Sequence, residues 1–402
     1  MRTLSLDRRF LLNNNAYSVL LEQRKIMSLK KTKAVIHQLA ESAGIQFNGS
    51  NPWDPQIHND AIYSKVIHQG SLGLGDAYMD GWWDCEKLDE YFIEFESQSS
   101  EKILTVNILP LILNKLNIFQ ALILNQQNKK RALKVGKQHY DVGNDLYQCM
   151  LDKNMNYTCG YWKEAKNLDE AQEAKLKLVC DKLYLKSGQK VLDIGCGWGG
   201  FAKYAAENYS VHVVGVTISQ EQLKLGKKRC AGLPVELRFQ DYRDVNEKFD
   251  HIVSLGMIEH VGYKNYGTYM QVARRCLKDE GLFLLHTIGA LVSTVKTDPW
   301  IGKYIFPNSM LPSIKQLSDA CEKRFVIEDL ENFSAYYDNT LMAWHKNFTH
   351  HWDELKGQYD QRFYRMWSYY LLCCAGSFRA RDNQLWQFVL SPKGVPGGYR
   401  RP

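Results

Sequence analysis

The chain has no C-x-x-C pair and no cysteine–histidine pattern with metal-ligand spacing, although it carries ten cysteines in 402 residues. No zinc or other metal site is therefore expected, and the cysteines read as free thiols of a reducing compartment. Neither an apolar h-region nor a small-residue cleavage site follows Arg2, Arg8 and Arg9, so no secretory signal is expected. An uninterrupted run of about 20 apolar residues is missing too. The most apolar stretch, residues 103–124, is broken by Asn107, Pro110, Asn114, Lys115, Asn117 and Gln120. It reads either as a core helix or as an apolar face that touches lipid, but not as a membrane span. Acids are absent from one segment, where Lys102, Lys115, Lys129, Lys130, Arg131, Lys134 and Lys137 meet no aspartate or glutamate. Those seven charges equal the whole net charge of +7, so the rest of the chain sums to zero. A basic run beside an apolar stretch suits an anionic lipid surface.

Against these gaps stands one dense stretch, residues 190–200, which reads K-V-L-D-I-G-C-G-W-G-G. Val191, Leu192 and Ile194 make the short apolar run of a buried parallel strand. Gly195, Gly197, Gly199 and Gly200 follow, and Phe201, Tyr204 and Ala205 then fall at helical spacing. Strand, glycine turn and helix bring backbone N–H groups against a nucleotide, because glycine has no Cβ to hold the ligand away. Gly195, Gly197 and Gly200 satisfy G-x-G-x-x-G, a dinucleotide pattern that calls for an acid about 20 residues on to hold a ribose. The next strand, 211–216, ends instead in Thr217-Ile218-Ser219-Gln220, with no carboxylate at its tip. The acid that is present is Asp193, two residues before the first glycine. L-D-x-G-x-G-x-G resembles the first motif of the S-adenosylmethionine-dependent methyltransferases, where that acid faces the cationic methionine end of the cofactor.

Strands expected at 190–194, 211–216, 235–239, 250–255 and 281–287 alternate with helical segments, a doubly wound pattern. Helices are expected over 34–43, around 62–67, over 84–101, and from Ile314, Thr340 and Arg362. The glycine-rich residues 70–83 follow no strand and read as tight turns that let aromatic side chains pack closely. The expected fold is α/β. A Rossmann-like class I methyltransferase domain with a mostly parallel sheet occupies 138–402. A basic linker at 125–137 precedes it, and before that a small, mainly helical N-terminal domain spans 1–124. Its first 30 residues are polar and expected to be disordered, and the tail 391–402 to be loose.

Longer stretches narrow the class. Residues 70–83, 135–146 (V-G-K-Q-H-Y-D-V-G-N-D-L), 155–162 (M-N-Y-T-C-G-Y-W), 256–262 (G-M-I-E-H-V-G), 284–289 (L-L-H-T-I-G) and 374–382 (C-A-G-S-F-R-A-R-D) resemble the bacterial cyclopropane-fatty-acyl-phospholipid synthases. The resemblance runs from about residue 36 to 388 and includes the N-terminal domain that the shorter mycolic-acid enzymes lack. It implies transfer of a methylene group from S-adenosylmethionine to the cis double bond of an acyl chain in a phospholipid bilayer. Attack of the alkene on the sulfonium methyl leaves a carbocation, and a base must then remove a proton to close the ring. Water would quench the cation, so an apolar, closed pocket with aromatic faces is needed.

In that family the base is a bound bicarbonate ion, and the resemblance places its cage on Glu259, His286, Tyr337, Cys159 and the backbone N–H of Ile288. Glu259 is the carboxylate that accepts from bicarbonate and relays the proton. Cys374 is a further candidate, although cyclopropanation needs no thiol nucleophile and Cys373-Cys374 also suits helix packing. The cofactor falls on Tyr157, Thr158, Asp193, Gly195, Cys196, Gly197, Thr217, Ser219, Gln220, Gln222, Gln240, Asp241 and Tyr242. Bland roles stand beside these: a helix cap for Glu259, a satisfied core histidine for His286, packing for Tyr337. The resemblance also implies a peripheral place on the cytoplasmic face of the membrane, leaves room for a homodimer and implies no nucleic-acid partner. Alternatives are methylation of a lipid chain or headgroup without ring closure, and a non-catalytic lipid-binding protein of the same fold. The base set argues against the first, the intact glycine loop against the second.

Overall fold

The structure is a computed structural model that describes residues 29–102 and 143–402. The stretch 103–124, the basic linker 125–137 and the polar residues 1–28 lie outside the described residues.

The first part is helical: α1 (Leu29–Ser42), α2 (Ala61–Gln69), α3 (Ser71–Met79) and α4 (Leu88–Lys102), with a small antiparallel pair, β1 (Gln56–Ile57) and β2 (Trp83–Asp84). After α5 (Asn144–Met150) and α6 (Leu168–Lys182) strands and helices alternate. They are β3 (Lys190–Ile194), α7 (Gly200–Tyr209), β4 (His212–Thr217), α8 (Gln220–Arg229), β5 (Val235–Phe239), β6 (Phe249–Leu255), α9 (Tyr266–Cys276) and β7 (Leu277–Ala290). The chain continues through α10 (Pro299–Tyr304), α11 (Ile314–Cys321), β8 (Val326–Asn332), α12 (Ala335–His350), α13 (Trp352–Leu355), α14 (Gln361–Arg379) and β9 (Asn383–Ser391).

Seven strands form one sheet in the order β5-β4-β3-β6-β7-β9-β8. The five from β5 to β7 are parallel, and β9 runs antiparallel between β7 and β8. Val191, Leu192 and Ile194 are fully buried, as a strand covered on both faces requires. Strand order reverses between β3 and β6. Connections from their carboxyl ends diverge there and leave the crevice in which α/β proteins bind ligands.

Two expectations fail locally. Residues 71–79 form a helix where turns were expected. Gly70, at φ +60°, breaks it from α2, while Gly73 and Gly75 sit inside it because of what lies against them. A Cβ on Gly73 would stand 2.5 Å from the Lys65 carbonyl oxygen, and one on Gly75 2.4 Å from the Trp300 ring. The tail after β9 has no regular structure, yet it is tied down. Tyr399 Oη donates to the Lys182 carbonyl at 3.0 Å, and Arg401 pairs with Asp329.

The N-terminal helices do not have a core to themselves. Ile62, Trp83 and Phe92 belong to one hydrophobic cluster with Tyr147, Trp300, Trp344 and Trp367. Helix α14 is the centre of that cluster. Gly376 lets it approach α4, where a Cβ would stand 2.6 Å from the Asp89 carbonyl oxygen. Arg379 holds both Asp89 and Asp338, and Arg365 donates to the Trp83 carbonyl at 2.8 Å.

Candidate active site

A cavity of about 940 Å³ lies over the carboxyl ends of β3 and β6 and continues to the helices of residues 36–96. Its floor on one side is the glycine loop. Gly195, Gly197 and Gly199 have φ of +83°, +52° and +78°, a left-handed path that favours glycine. Gly195 N and Cys196 N donate to the Val216 carbonyl at 3.0 and 3.1 Å, which pins the loop against β4. The Cys196 side chain turns under the loop and packs against Gly215. A Cβ on Gly197 would meet no protein atom within 4 Å. That is open space at the cavity wall.

Asp193 is the last residue but one of β3 and is 2% exposed. Burial lifts its carboxyl to about 7, with the Lys175 cation opposing that rise. Lys175 is itself fully buried and pushed down to about 8. It donates to Thr158 Oγ1 at 2.9 Å and Asn156 Oδ1 at 3.3 Å. Thr217 Oγ1 donates to Gln222 Oε1 at 3.1 Å, and Ser219 Oγ caps α8 by accepting from Gln222 N. Asp241 is gripped by Arg243 through Nε and Nη2 at 2.8 and 2.7 Å, which fixes the loop after β5. Tyr157 Oη lies 2.8 Å from Tyr370 Oη. Tyr157, Thr158, Asp193, Gly195, Cys196, Gly197, Thr217, Ser219, Gln222, Gln240, Asp241 and Tyr242 all line the cavity. Gln220 does not; as the first residue of α8 it is exposed. An open glycine wall and a buried carboxylate poised near neutrality fit a cationic nucleoside such as S-adenosylmethionine, since a cation beside Asp193 offsets the cost of burying its charge.

A second stretch of the wall carries another carboxylate. Glu259 sits on a 3₁₀ turn just after β6, and its backbone carbonyl accepts from Met310 N at 2.9 Å. Glu259 Oε1 accepts from Ile288 N at 2.8 Å, whereas Oε2 is buried with no hydrogen-bond partner. Burial lifts this carboxyl to about 7 as well. The Ile288 N–H is thus already directed at Glu259.

His286 lies two residues earlier on β7, and Gln387 on the adjacent β9 stands opposite it. Lys182 Nζ donates to Gln387 Oε1 at 2.9 Å. An ammonium can only donate, so Gln387 presents Nε2 to His286 Nδ1, 3.2 Å away. Nδ1 is then the acceptor and the ring proton sits on Nε2, which is buried without a partner. Burial holds this imidazole well below its ordinary pKa, and it stays neutral.

Tyr337 from α12 lines the same cavity, its ring tilted against Phe378 at 4.5 Å between centroids. Cys374 lines it as well. Cys159 does not, because its thiol turns away to the Gly160 carbonyl at 3.2 Å. Burial pushes that thiol up, so it is protonated at neutral pH.

Sequence reading missed Lys175, Lys182 and Gln387. Each lies on a helix or strand far along the chain from its partner, and no local pattern marks a lysine or glutamine as buried. The expected aromatic supply is sorted by the fold: Trp300 and Phe306 reach the cavity, whereas Tyr269 lies in the core beneath the sheet. All ten cysteines are free thiols. Metal-ligand types converge once among the described residues, at Cys149, His351 and Glu354. There His351 Nδ1 already lies within hydrogen-bond distance of Glu354 Oε1, at 2.8 Å, away from the cavity.

Residues 127–388 match the family model of the mycolic acid cyclopropane synthetases. The chain belongs to that family. It is 54% identical over 366 residues to the cyclopropane-fatty-acyl-phospholipid synthase of Escherichia coli (strain K12), across 91% of this chain and 94% of that one. Among solved structures it resembles the cyclopropane synthase MmaA2 from Mycobacterium tuberculosis, with a TM-score of 0.61 and 30% identity over 64% of this chain and 97% of that one. The mycolic acid cyclopropane synthase CmaA1, complexed with SAH and CTAB, gives a TM-score of 0.61 at 29% identity, with the same coverage of both chains. A coclaurine N-methyltransferase, at 20% identity and a TM-score of 0.62, shares the class I methyltransferase fold alone. The family is thus one of S-adenosylmethionine-dependent methyltransferases, and the fold is α/β with a mostly parallel sheet, as expected.

Proposed function

We propose that the protein forms cyclopropane rings on unsaturated acyl chains of membrane phospholipids. The observation that carries this reading is the joining of two chemically different walls in one cavity. The glycine cradle and Asp193 line one stretch of its wall, the partnerless Glu259 Oε2 and His286 Nε2 belong to another, and aromatic side chains share the lining. S-adenosylmethionine, when bound, supplies an electrophilic methyl group. Asp193 offsets the positive end of such a ligand, and Gln222, Gln240 and Tyr242 border the nucleoside side. Tyr157, Phe306, Tyr337 and Tyr370 exclude water from the acyl chain and offer aromatic faces to a passing cation, each worth roughly 0.5–2 kcal/mol.

A bicarbonate ion, when bound, supplies a base small enough to reach the delivered methyl group. His286, with its proton fixed on Nε2, donates to such an anion, and Glu259 Oε2 accepts from its hydroxyl. Carboxylate ionisation near pH 7 lets Glu259 take a proton and release it again. Tyr337 borders this end, the Ile288 N–H orients Glu259, and Cys374 belongs to the surrounding wall. In this reading residues 1–124 form a helical domain, 125–137 a basic linker and 138–402 the catalytic domain, which works at a membrane surface. Among the described residues no helix is long and apolar enough to cross a membrane.

The test uses vesicles of unsaturated phospholipid with S-adenosylmethionine and mass spectrometry of the chains before and after ozonolysis. Chains that gain a methylene and resist ozone are the expected result. Methylated chains that ozone still cleaves would replace ring formation with plain methylation, and unmodified chains would overturn the proposal.

A further inference from the structure

Strand β7 ends at Ala290, which lines the cavity, and Thr294, Lys296, Thr297 and Asp298 line it again a few residues on. Between them the chain turns outward with Leu291 and Val292, 67% and 70% exposed. No other large hydrophobic residue among those described is as open to solvent. The loop is nevertheless held firmly. Ala290 N donates to the Pro312 carbonyl at 2.9 Å, Ser293 Oγ lies 2.7 Å from Ser313 Oγ, and Gln316 Nε2 donates to the Thr294 carbonyl at 3.0 Å. Ser313 and Gln316 also form the capping box of α11, whose first residue, Ile314, is itself exposed. A braced pair of apolar side chains is thus presented to solvent at the rim of an apolar cavity. Val326, Ile327 and Leu330 on the edge strand β8 are exposed too, but no residue of that strand lines the cavity, whereas Ala290 and Thr294 on either side of Leu291 and Val292 do.

We propose that Leu291 and Val292 are a wedge that enters the phospholipid bilayer and sets the cavity mouth against it. The inference rests on the proposed function, and continuity with the cavity selects the occupant. An acyl chain that leaves a bilayer for this cavity would expose every methylene to water unless the mouth sits in the lipid surface. Apolar side chains at the rim hold it there, and Lys296 beside them suits a lipid phosphate.

The test compares full-length wild type with Leu291→Asp/Val292→Asp and Leu291→Phe/Val292→Phe in flotation with vesicles of unsaturated, zwitterionic phospholipid. Ring formation is measured in those vesicles and in the same lipid dispersed in detergent, with thermal melting and solution mass as controls. The aspartate pair should float and turn over vesicle lipid roughly tenfold less or worse. In detergent it should keep its activity, and its melting and mass should be unchanged. The phenylalanine pair should behave as wild type. Unchanged flotation of the aspartate pair, equal loss in detergent, or a change in mass that reveals a second copy on this face would each overturn the wedge. A wild type that floats through these residues but forms no ring would refute the proposed reaction and leave the wedge standing.

Discussion

Asp193 on β3 and Glu259 just after the neighbouring β6 line two stretches of the wall of one cavity, and burial lifts both carboxyls to about 7. Their surroundings differ. Asp193 lies near the end of a central strand beside an open glycine wall, with the buried Lys175 cation in electrostatic reach. Glu259 stands on a short turn, accepts the Ile288 N–H with Oε1, has the Thr287 side chain in reach, and lines the same cavity as a neutral histidine. Desolvation therefore sets how readily each takes a proton, but the neighbours decide what the proton is for. In the proposed function Asp193 has only to meet a cation, for which space and a fixed backbone suffice, whereas Glu259 must give and take protons, which calls for an accessible oxygen.

The sharpest way to break this comparison is to close one wall and leave the other. Gly197→Val puts a branched side chain at φ +52° and into open cavity space, so S-adenosylmethionine binding should be abolished in a folded protein. Calorimetry that finds unchanged affinity would remove the cradle assignment. Glu259→Gln should do the reverse. It should cut ring formation by roughly 10²-fold or more while binding S-adenosylmethionine within about twofold of wild type. Parallel loss of cofactor affinity would place Glu259 on the wrong side of the comparison.

Asp193 can be separated from Glu259 by pH. A carboxyl that ionises near 7 takes up a proton as pH falls, and a cationic ligand favours its charged form. Cofactor affinity should therefore weaken as pH drops from about 8 to about 6, with proton release on binding. Asp193→Asn should flatten that slope and lower affinity roughly tenfold at pH 8. A slope that persists in the variant would assign the titration to another group. The smallest effect concerns the tautomer. Gln387→Leu removes the donor that keeps His286 Nδ1 unprotonated. We expect kcat to fall several-fold, by roughly 1 kcal/mol, with little change in KM for S-adenosylmethionine. An equal rise in KM would mean that Gln387 supports the fold and not the histidine.

The two walls were not equally legible in the sequence. Asp193 and the glycines that follow it lie within a few residues, and the left-handed turns at Gly195, Gly197 and Gly199 are forced by local backbone geometry. The central strands likewise stand out as apolar runs, and β3 and β5 match their expected bounds. Glu259, His286 and Tyr337 come from a turn, a strand and a helix that only the folded sheet brings together, and a family resemblance was needed to select them. Lys175, Lys182 and Gln387 were invisible, because a buried lysine or glutamine depends on partners that no local pattern names. Strands β8 and β9 escaped notice for a related reason: the acidic residues of 326–332 hide an edge strand whose partner lies at the far end of the chain.

The account's central claim is that Glu259 works through a small anion held between its free oxygen and His286. The most direct measurement is the rate of ring formation by the wild-type protein as bicarbonate is rigorously removed and then restored, at constant pH and saturating S-adenosylmethionine. The rate should fall on removal and recover on addition, with Glu259→Gln insensitive to both. A wild-type rate that does not change with bicarbonate would contradict the account and require another group to take the proton.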